Sequence, residues 1–167
     1  MNSYTISTVR LGLREWTAAD VRPFVEMNKD RDVMEFFPAT LSENETLELV
    51  QKYKSYFDEK KFGRYVVEEK STKKFIGFTG FGKPRFESFF TPCIEIGWRF
   101  KREGWGKGYA TEAARACLNY GFEMIGLATV YSFTAIINER SENVMKKIGM
   151  TKVAEFDHPK IEPTDRL

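Results

Sequence analysis

Apolar residues recur at the spacing of a helix with one buried face in four stretches of the chain. The first stretch follows Thr17 and Asp20, and the second follows Ser42 and Glu45; both pairs are typical of a helix-capping box. The third stretch follows a run of glycines, and the fourth, residues 140–148, stops at Gly149. The expected buried positions are Val21, Phe24 and Val25, then Leu47, Val50, Tyr53 and Phe57, then Ala110, Ala113, Ala114, Cys117, Tyr120 and Met124, and finally Val144, Met145 and Ile148.

Six further stretches predict strands, because they are rich in β-branched and aromatic residues or alternate apolar with polar positions. The second and third are expected to pair as an antiparallel hairpin. The fourth places Glu95 on the face opposite Ile96, Trp98 and Phe100. Residues 36–38 and 82–92 are predicted to be aromatic loops. The six strands span residues 11–14, 63–68, 74–81, 93–100, 127–137 and 151–156.

These elements indicate one mixed α/β domain over residues 1–167. Only residues 94–137 have the strand, helix, strand order of a βαβ crossover. The net charge of +2 gives no argument for a nucleic-acid partner. The two cysteines form no disulfide framework, which favours a reducing cytoplasm, and no secretory signal or membrane span is visible. The single histidine argues against hydrolase triads and against a metal site.

The glycine run at residues 104–108 lies where a strand ends and a helix begins. Glycine allows close backbone approach, and a helix start offers free N–H groups, so this junction predicts a phosphate or pyrophosphate site. A turn without a ligand remains the alternative. Lys107 is followed by Gly108 rather than Ser or Thr, so the run is no P-loop; its G-x-G-x-G spacing is not a dinucleotide fingerprint.

Four segments together resemble the GNAT superfamily of acetyl-CoA-dependent N-acetyltransferases, and within it the ribosomal-protein N-terminal acetyltransferases. Residues 105–113 (WGKGYATEA) are similar to the acetyl-CoA loop of that branch, with Gly108 and Ala110 at the defining positions and Trp105 in place of the general Arg or Gln. The other segments are residues 10–14 (RLGLR), residues 95–97 (EIG) and residues 138–149, where Asn138 and Ser141 precede Lys-Ile-Gly. The resemblance covers residues 10–158.

The resemblance implies a central, mostly antiparallel sheet with a V-shaped split between its fourth and fifth strands, and about four helices. It also implies acetyl-CoA as cosubstrate, without a metal. The backbone at Trp98 and Phe100 would hold the pantetheine, and N–H groups from Trp105 to Thr111 would hold the pyrophosphate. Lys101, Arg102 and Lys107 are candidates for the 3′-phosphate, unless they are merely solvated. The cofactor-binding set is then Trp98, Phe100, Arg102, Trp105, Gly106, Lys107, Gly108, Tyr109, Ala110, Thr111 and Asn138.

Glu95 is the candidate general base, since a carboxylate inside an apolar strand becomes a stronger base on burial. The alternatives are an exposed Glu95 or a Glu95 paired with Arg99. The resemblance places Asn138 near the pantetheine or the acceptor and Ser141 near the departing sulfur as a proton donor, with water as the alternative donor. Asn138 is equally compatible with a plain helix N-cap. Cys93 has no activating histidine, so a covalent mechanism is disfavoured.

The amine acceptor is expected between Phe37, Phe89 and Ile137. A protein N-terminus, a polyamine or an aminoglycoside all fit, and the protein is expected to be a monomer or homodimer. A CoA-binding sensor without catalysis is the main alternative function, and a nucleotide-binding protein is another. The family closes its sheet with a seventh strand after residues 157–159, so that strand either follows Leu167 or the sheet is completed otherwise.

Overall fold

The computed structural model describes residues 4–162, 165 and 167. Its five strands form one antiparallel sheet in the order β1-β2-β3-β4-β5. Among the described residues, no helix is long and apolar enough to cross a bilayer. The strands are β1 Ile6–Ser7, β2 Leu11–Arg14, β3 Arg64–Glu69, β4 Lys74–Gly82 and β5 Glu95–Phe100. The helices are α1 Val21–Lys29, α2 Glu43–Lys60, α3 Tyr109–Tyr120 and α4 Glu139–Lys147, with short 3-10 turns at Ala18–Asp20 and Arg102–Gly104 and a π-helical turn at Gly121–Ile125.

The two faces of the sheet carry separate hydrophobic clusters, as strand alternation requires. One face packs against α3 through Ala113, Ala114 and Cys117, and its strand residues include Leu13, Tyr65, Phe81, Ile96 and Phe100. The other face packs against α1 and α2 and is built from Trp16, Phe24, Val50, Val66, Phe75 and Phe78. The side chains of Glu95, Gly97 and Arg99 belong to this second face, because they alternate with Ile96 and Phe100 along β5.

Both predicted capping boxes form. Asp20 accepts from the Thr17 N–H at 2.8 Å, and Glu45 accepts from the Ser42 N–H at 2.7 Å while Ser42 Oγ accepts from the Glu45 N–H. These contacts satisfy N–H groups that have no acceptor inside the helix, which is why the sequence marked both starts correctly.

The two last predicted strands are wrong. Residues 127–137 contribute only one parallel bridge, between Tyr131 and Glu95, and residues 151–156 run as irregular, mostly exposed chain. The composition of these segments favours extended backbone, but a strand also needs a neighbour at pairing distance. Val153, for example, is 72% exposed.

Several helical positions also differ from expectation. In α4, no residue is fully buried, and the expected positions Val144, Met145 and Ile148 are only partly buried. The π-helical turn Gly121–Ile125 changes the helical phase after α3, so Met124 faces solvent. Within α3, Leu118 is buried beside the expected Cys117. In α2, Val50 and Phe57 are buried as expected, but Thr46 is buried in place of its neighbour Leu47, which is exposed.

Candidate active site

The outer edge of β5 separates from the next segment of chain just beyond Ile96. The Ile96 N–H donates to the Tyr131 carbonyl at 2.8 Å, the Tyr131 N–H donates to the Ile94 carbonyl at 2.9 Å, and Ser132 Oγ donates to the Ile96 carbonyl. Since alternate residues of a strand direct their N–H and C=O groups to the same side, those of Trp98 project from this same edge. The edge at Trp98 is therefore suited to pair with an extended ligand. The V-shaped split begins here, where the parallel pairing of β5 with residues 131–132 ends after Ile96.

The loop before α3 presents N–H groups at a helix start. Gly106 and Gly108 have φ of 71° and 76°, the left-handed region that glycine adopts without strain. The Glu112 N–H donates to the Gly108 carbonyl at 3.0 Å, so the N–H groups of Tyr109, Ala110 and Thr111 have no acceptor within the helix. This arrangement fits a pyrophosphate.

Trp105 anchors the loop to β5. Its Nε1 donates to the Phe100 carbonyl at 2.9 Å, and its backbone N–H donates to the Arg102 carbonyl. The sequence interpretation gave this N–H to the pyrophosphate, but it already has an acceptor inside the protein.

The N-terminal segment braces the same loop from the other side. Arg10 Nη1 donates to the Lys107 carbonyl at 2.9 Å, and Thr8 Oγ1 donates to Glu112 at 2.6 Å. Burial acts to raise the pKa of Glu112, but the hydrogen bonds from Thr8 and Arg10 outweigh it and hold that pKa below its usual value. Sequence reasoning used Arg10 only as part of a motif and missed this bracing role.

The expected cations for the 3′-phosphate divide into two groups. Arg102 bonds to Asp30 and Asp32, each at 2.8 Å, and Lys101 lies 3.9 Å from Glu26, so carboxylates already match both charges. Lys107 instead lies 5.7 Å above the Tyr109 ring at the loop itself.

A cleft of about 450 Å³ opens beside α3, and sequence reasoning missed it. Its lining residues are Arg10, Gly108, Thr111, Glu112, Arg115, Ala116, Asn119 and Lys147.

Glu95 lies at the start of β5 in an ion pair with Arg64. Nη2 of Arg64 is 2.5 Å from Oε1 of Glu95, the Glu95 side chain is 17% exposed, and Arg64 Nη1 donates to the Gly80 carbonyl at 2.7 Å. Arg64 lies directly over Gly97, where a Cβ atom would come within 2.5 Å of Nη1. Both alternatives that the sequence left open, an exposed Glu95 and a pair with Arg99, are therefore wrong. In the described part of the chain, no protein donor reaches Oε2.

Asn138 is the N-cap of α4. Its Oδ1 accepts from the Ser141 N–H at 3.1 Å, and its Nδ2 donates to Thr134 Oγ1 at 3.0 Å and to Ser141 Oγ at 3.2 Å. The capping alternative therefore describes the side chain of Asn138. Because Ser141 Oγ accepts from Asn138 Nδ2, the hydroxyl proton of Ser141 is not used in this bond and can be donated to another group.

Aromatic side chains line the three loops around this region. Phe37 lies 4.3 Å from the Arg99 guanidinium, Phe89 is 68% exposed and packs on Phe90, and Ile137 is exposed just before α4. His158 packs on Phe86, with ring centroids 4.6 Å apart; burial lowers its pKa. The other rings of this cluster are Phe90, Tyr131, Phe133 and Phe156.

Arg140 contacts both the aromatic loop at residues 36–38 and the glycine loop. It bonds to Glu35 at 2.8 Å and lies 4.2 Å above the Trp105 ring and 5.4 Å above the Phe36 ring. No sequence signal marked this contact, because its partners are more than 30 residues away from it in the chain.

Comparison with known proteins agrees with this geometry. The family model "Acetyltransferase (GNAT) domain" matches residues 10–151. The chain is 34% identical over 152 residues to an uncharacterized N-acetyltransferase of Bacillus subtilis, YnaD, covering 90% of this chain and 85% of the relative. A GNAT-family acetyltransferase from Bacillus anthracis has a similar structure, with a TM-score of 0.78, 30% identity, and 96% and 90% of the two chains covered. A spermidine N-acetyltransferase from Vibrio cholerae, solved with CoA and spermine, aligns with a TM-score of 0.66 and 24% identity, covering 85% and 81% of the chains.

The protein thus belongs to the GNAT acetyltransferase family. It is an acetyl-CoA-dependent acetyltransferase, and the split edge of β5 together with the loop before α3 fits the cosubstrate that this class uses.

Proposed function

We propose that this protein transfers the acetyl group of acetyl-CoA to a primary amine by direct attack, with Glu95 taking the proton of the amine through a water molecule. The observation that carries the proposal is the position of Glu95. It starts the strand whose free edge at Trp98 fits the pantetheine, and its Oε2 has no protein donor among the described residues. A free amine is mostly protonated at neutral pH, so a proton acceptor beside the thioester is required.

The chain's own groups divide the remaining work. The Trp98 N–H stabilises the negative charge that develops on the thioester oxygen. The N–H groups of residues 106–111, with Tyr109, Ala110 and Thr111 at the helix start, bind the pyrophosphate, and Phe100 fixes the loop through Trp105. As the C–N bond forms and the C–S bond breaks, Ser141 or a water supplies the proton to the sulfur. Asn138 orients Ser141, and Arg102 takes no part.

For the 3′-phosphate we propose the cleft beside α3, with Arg115 and Lys147 of its lining and Lys107 of the adjacent glycine loop as the cations. The acceptor lies between Phe37, Phe89 and Ile137. These three apolar side chains are exposed on separate loops, and an acceptor that binds there would cover them.

The proposal is tested by ligand-dependent stability and by turnover. Acetyl-CoA at 100 times its Kd should stabilise the folded protein by about 2.7 kcal/mol, whereas NAD and ATP should not. A panel of amines should then release CoA thiol in proportion to acetylated amine. Stabilisation by ATP alone, or thioester loss without any acetylated amine, would overturn the proposal.

A further inference from the structure

Arg99 is a partly buried cation without a carboxylate partner in the described part of the chain. Its neighbour Arg64 is neutralised by Glu95, and Arg102 by Asp30 and Asp32, whereas Arg99 makes no ion pair there. Its Nε is buried and has no hydrogen-bond partner. Burial and the nearby Arg64 charge lower the pKa of Arg99, as expected for a guanidinium without a matching anion.

The fold holds this guanidinium in place with buried polar groups. Arg99 Nη1 donates to Oδ1 of Asn28 at 2.5 Å, Asn28 Nδ2 donates to Thr46 Oγ1 at 3.2 Å, and Thr46 Oγ1 donates to the Ser42 carbonyl. Asn28 and Thr46 are both fully buried. Buried polar groups and an unmatched charge lower the stability of the fold. Because residues of α1 and α2 hold Arg99 in a fixed orientation despite this cost, its guanidinium is expected to bind a ligand.

The position of Arg99 relates it to the acceptor. Arg99 and Glu95 lie on the same face of β5, four residues apart, which corresponds to about 13 Å between their Cα atoms. The Phe37 ring that we place at the acceptor lies 4.3 Å from the guanidinium. Because the charges of Arg64 and Glu95 match each other, the positive charge of Arg99 is left unmatched beside them, which disfavours polyamines and favours an anion.

We infer that the acceptor carries a carboxylate as well as its amine, and that Arg99 binds this carboxylate while the amine faces Glu95. This inference rests on the proposed amine acetylation. A guanidinium pairs with a carboxylate through two parallel N–H donors, so it recognises such a group with defined geometry. The carboxylate belongs to an amino acid, to the C-terminus of a short peptide, or to an acidic side chain that follows the N-terminal residue of a peptide.

Matched acceptors test the inference directly. Peptides of one to four residues are compared as free acids and as C-terminal amides, together with an amidated peptide bearing Asp at its second residue, and with spermidine. In the wild type, kcat/KM should be about 10 to 100 times higher for a carboxylate-bearing amine than for its amide, the range for a charged hydrogen bond. The best peptide length, or preference for the Asp peptide, identifies the source of the carboxylate.

Variants separate recognition from folding. Arg99→Gln should remove the preference by raising KM for the acids much more than KM for the amides, while CoA affinity is kept; Arg99→Lys should restore part of the preference. Arg22→Gln on the exposed side of α1 is the matched control, and thermal unfolding checks that each variant is folded.

Product binding decides the case even without turnover. In the presence of CoA, the N-acetylated peptide acid should bind the wild type more tightly than its amide in calorimetry, and Arg99→Gln should abolish the difference. Equal use or binding of acids and amides, or better use of spermidine, would overturn the role of Arg99 while leaving acetyl transfer intact. If no amine is acetylated, the proposed reaction fails and the binding comparison alone decides.

Discussion

Oε1 of Glu95 lies 2.5 Å from Nη2 of Arg64, and the guanidinium crosses the open space above Gly97 to reach it. One oxygen of the carboxylate is thereby fixed, and the second has no protein donor among the described residues. This ion pair holds the Glu95 carboxylate in position and uses only Oε1. The charge of Arg64 is matched, and Oε2 can still accept a proton from a water.

Glu95→Gln should lower kcat/KM by about 10²–10⁴, the usual scale for loss of a general base. Activity should rise with pH in the wild type and follow the ionisation of the amine in the variant. Acetyl-CoA affinity should change little, because Glu95 is proposed to act on the amine rather than on the phosphates. Glu59→Gln, on the exposed side of α2, is the matched control. A near-normal rate with an unchanged pH profile would assign Glu95 a purely structural role.

Gly108→Asp should abolish acetyl-CoA binding, measured by calorimetry, while the protein stays folded. The residue has a left-handed φ of 76°, so any side chain adds about 1–2 kcal/mol of strain, and a carboxylate at the helix start would repel the pyrophosphate. Gly126→Asp provides the control, because Gly126 has a similar φ of 79° at a distance from the loop along the chain. Equal loss of CoA affinity in both variants would contradict the assignment of the loop.

Arg140→Ala should raise both the Kd for CoA and the KM for the acceptor several-fold, because Arg140 contacts Trp105 in the glycine loop and Glu35 beside the aromatic loop. A cation over an indole ring contributes about 0.5–2 kcal/mol, which corresponds to a factor of about 2 to 30. The control is Lys146→Ala on the same helix, whose partner Glu142 lies on the surface. An effect on only one of the two ligands would show that Arg140 does not connect their loops.

Asp20→Asn should destabilise the fold by about 3–5 kcal/mol at neutral pH, measured by urea unfolding. Both oxygens of Asp20 accept from Arg14, at 2.8 and 2.9 Å, and both side chains are buried. Burial acts to raise the pKa of Asp20, but the bonds from Arg14 and Thr17 lower it overall. The stabilisation is therefore present above the unfolded pKa of about 3.9 and is lost as the pH falls through the lower folded value.

The difference in unfolding free energy between Asp20→Asn and the wild type should accordingly become smaller as the pH falls. Asp58→Asn on the exposed side of α2 should show no comparable loss at any pH. A pH-independent difference would mean that the pair with Arg14 is not the source of the stability.

The sequence by itself determined the helices, the hairpin and the glycine loop, because each depends on residues that are close together in the chain. Ser42 and Glu45 close their cap within one turn, and Gly106 and Gly108 provide left-handed backbone wherever the loop lies. The motif around Gly108 likewise identified the family. Glu95 stood out for a local reason too, as a carboxylate in an apolar strand.

Only the tertiary structure decided which groups surround that carboxylate. The partner of Glu95 is Arg64, which comes from another strand and fits because residue 97 has no side chain; the sequence offered Arg99 only because it is nearby on the same strand face. The cleft cations, the brace at Arg10 and the contacts of Arg140 join residues that are distant in the chain. The end of the sheet was mispredicted for the same reason: β-branched composition favours extended backbone, but hydrogen-bond pairing depends on where a neighbouring strand lies in space.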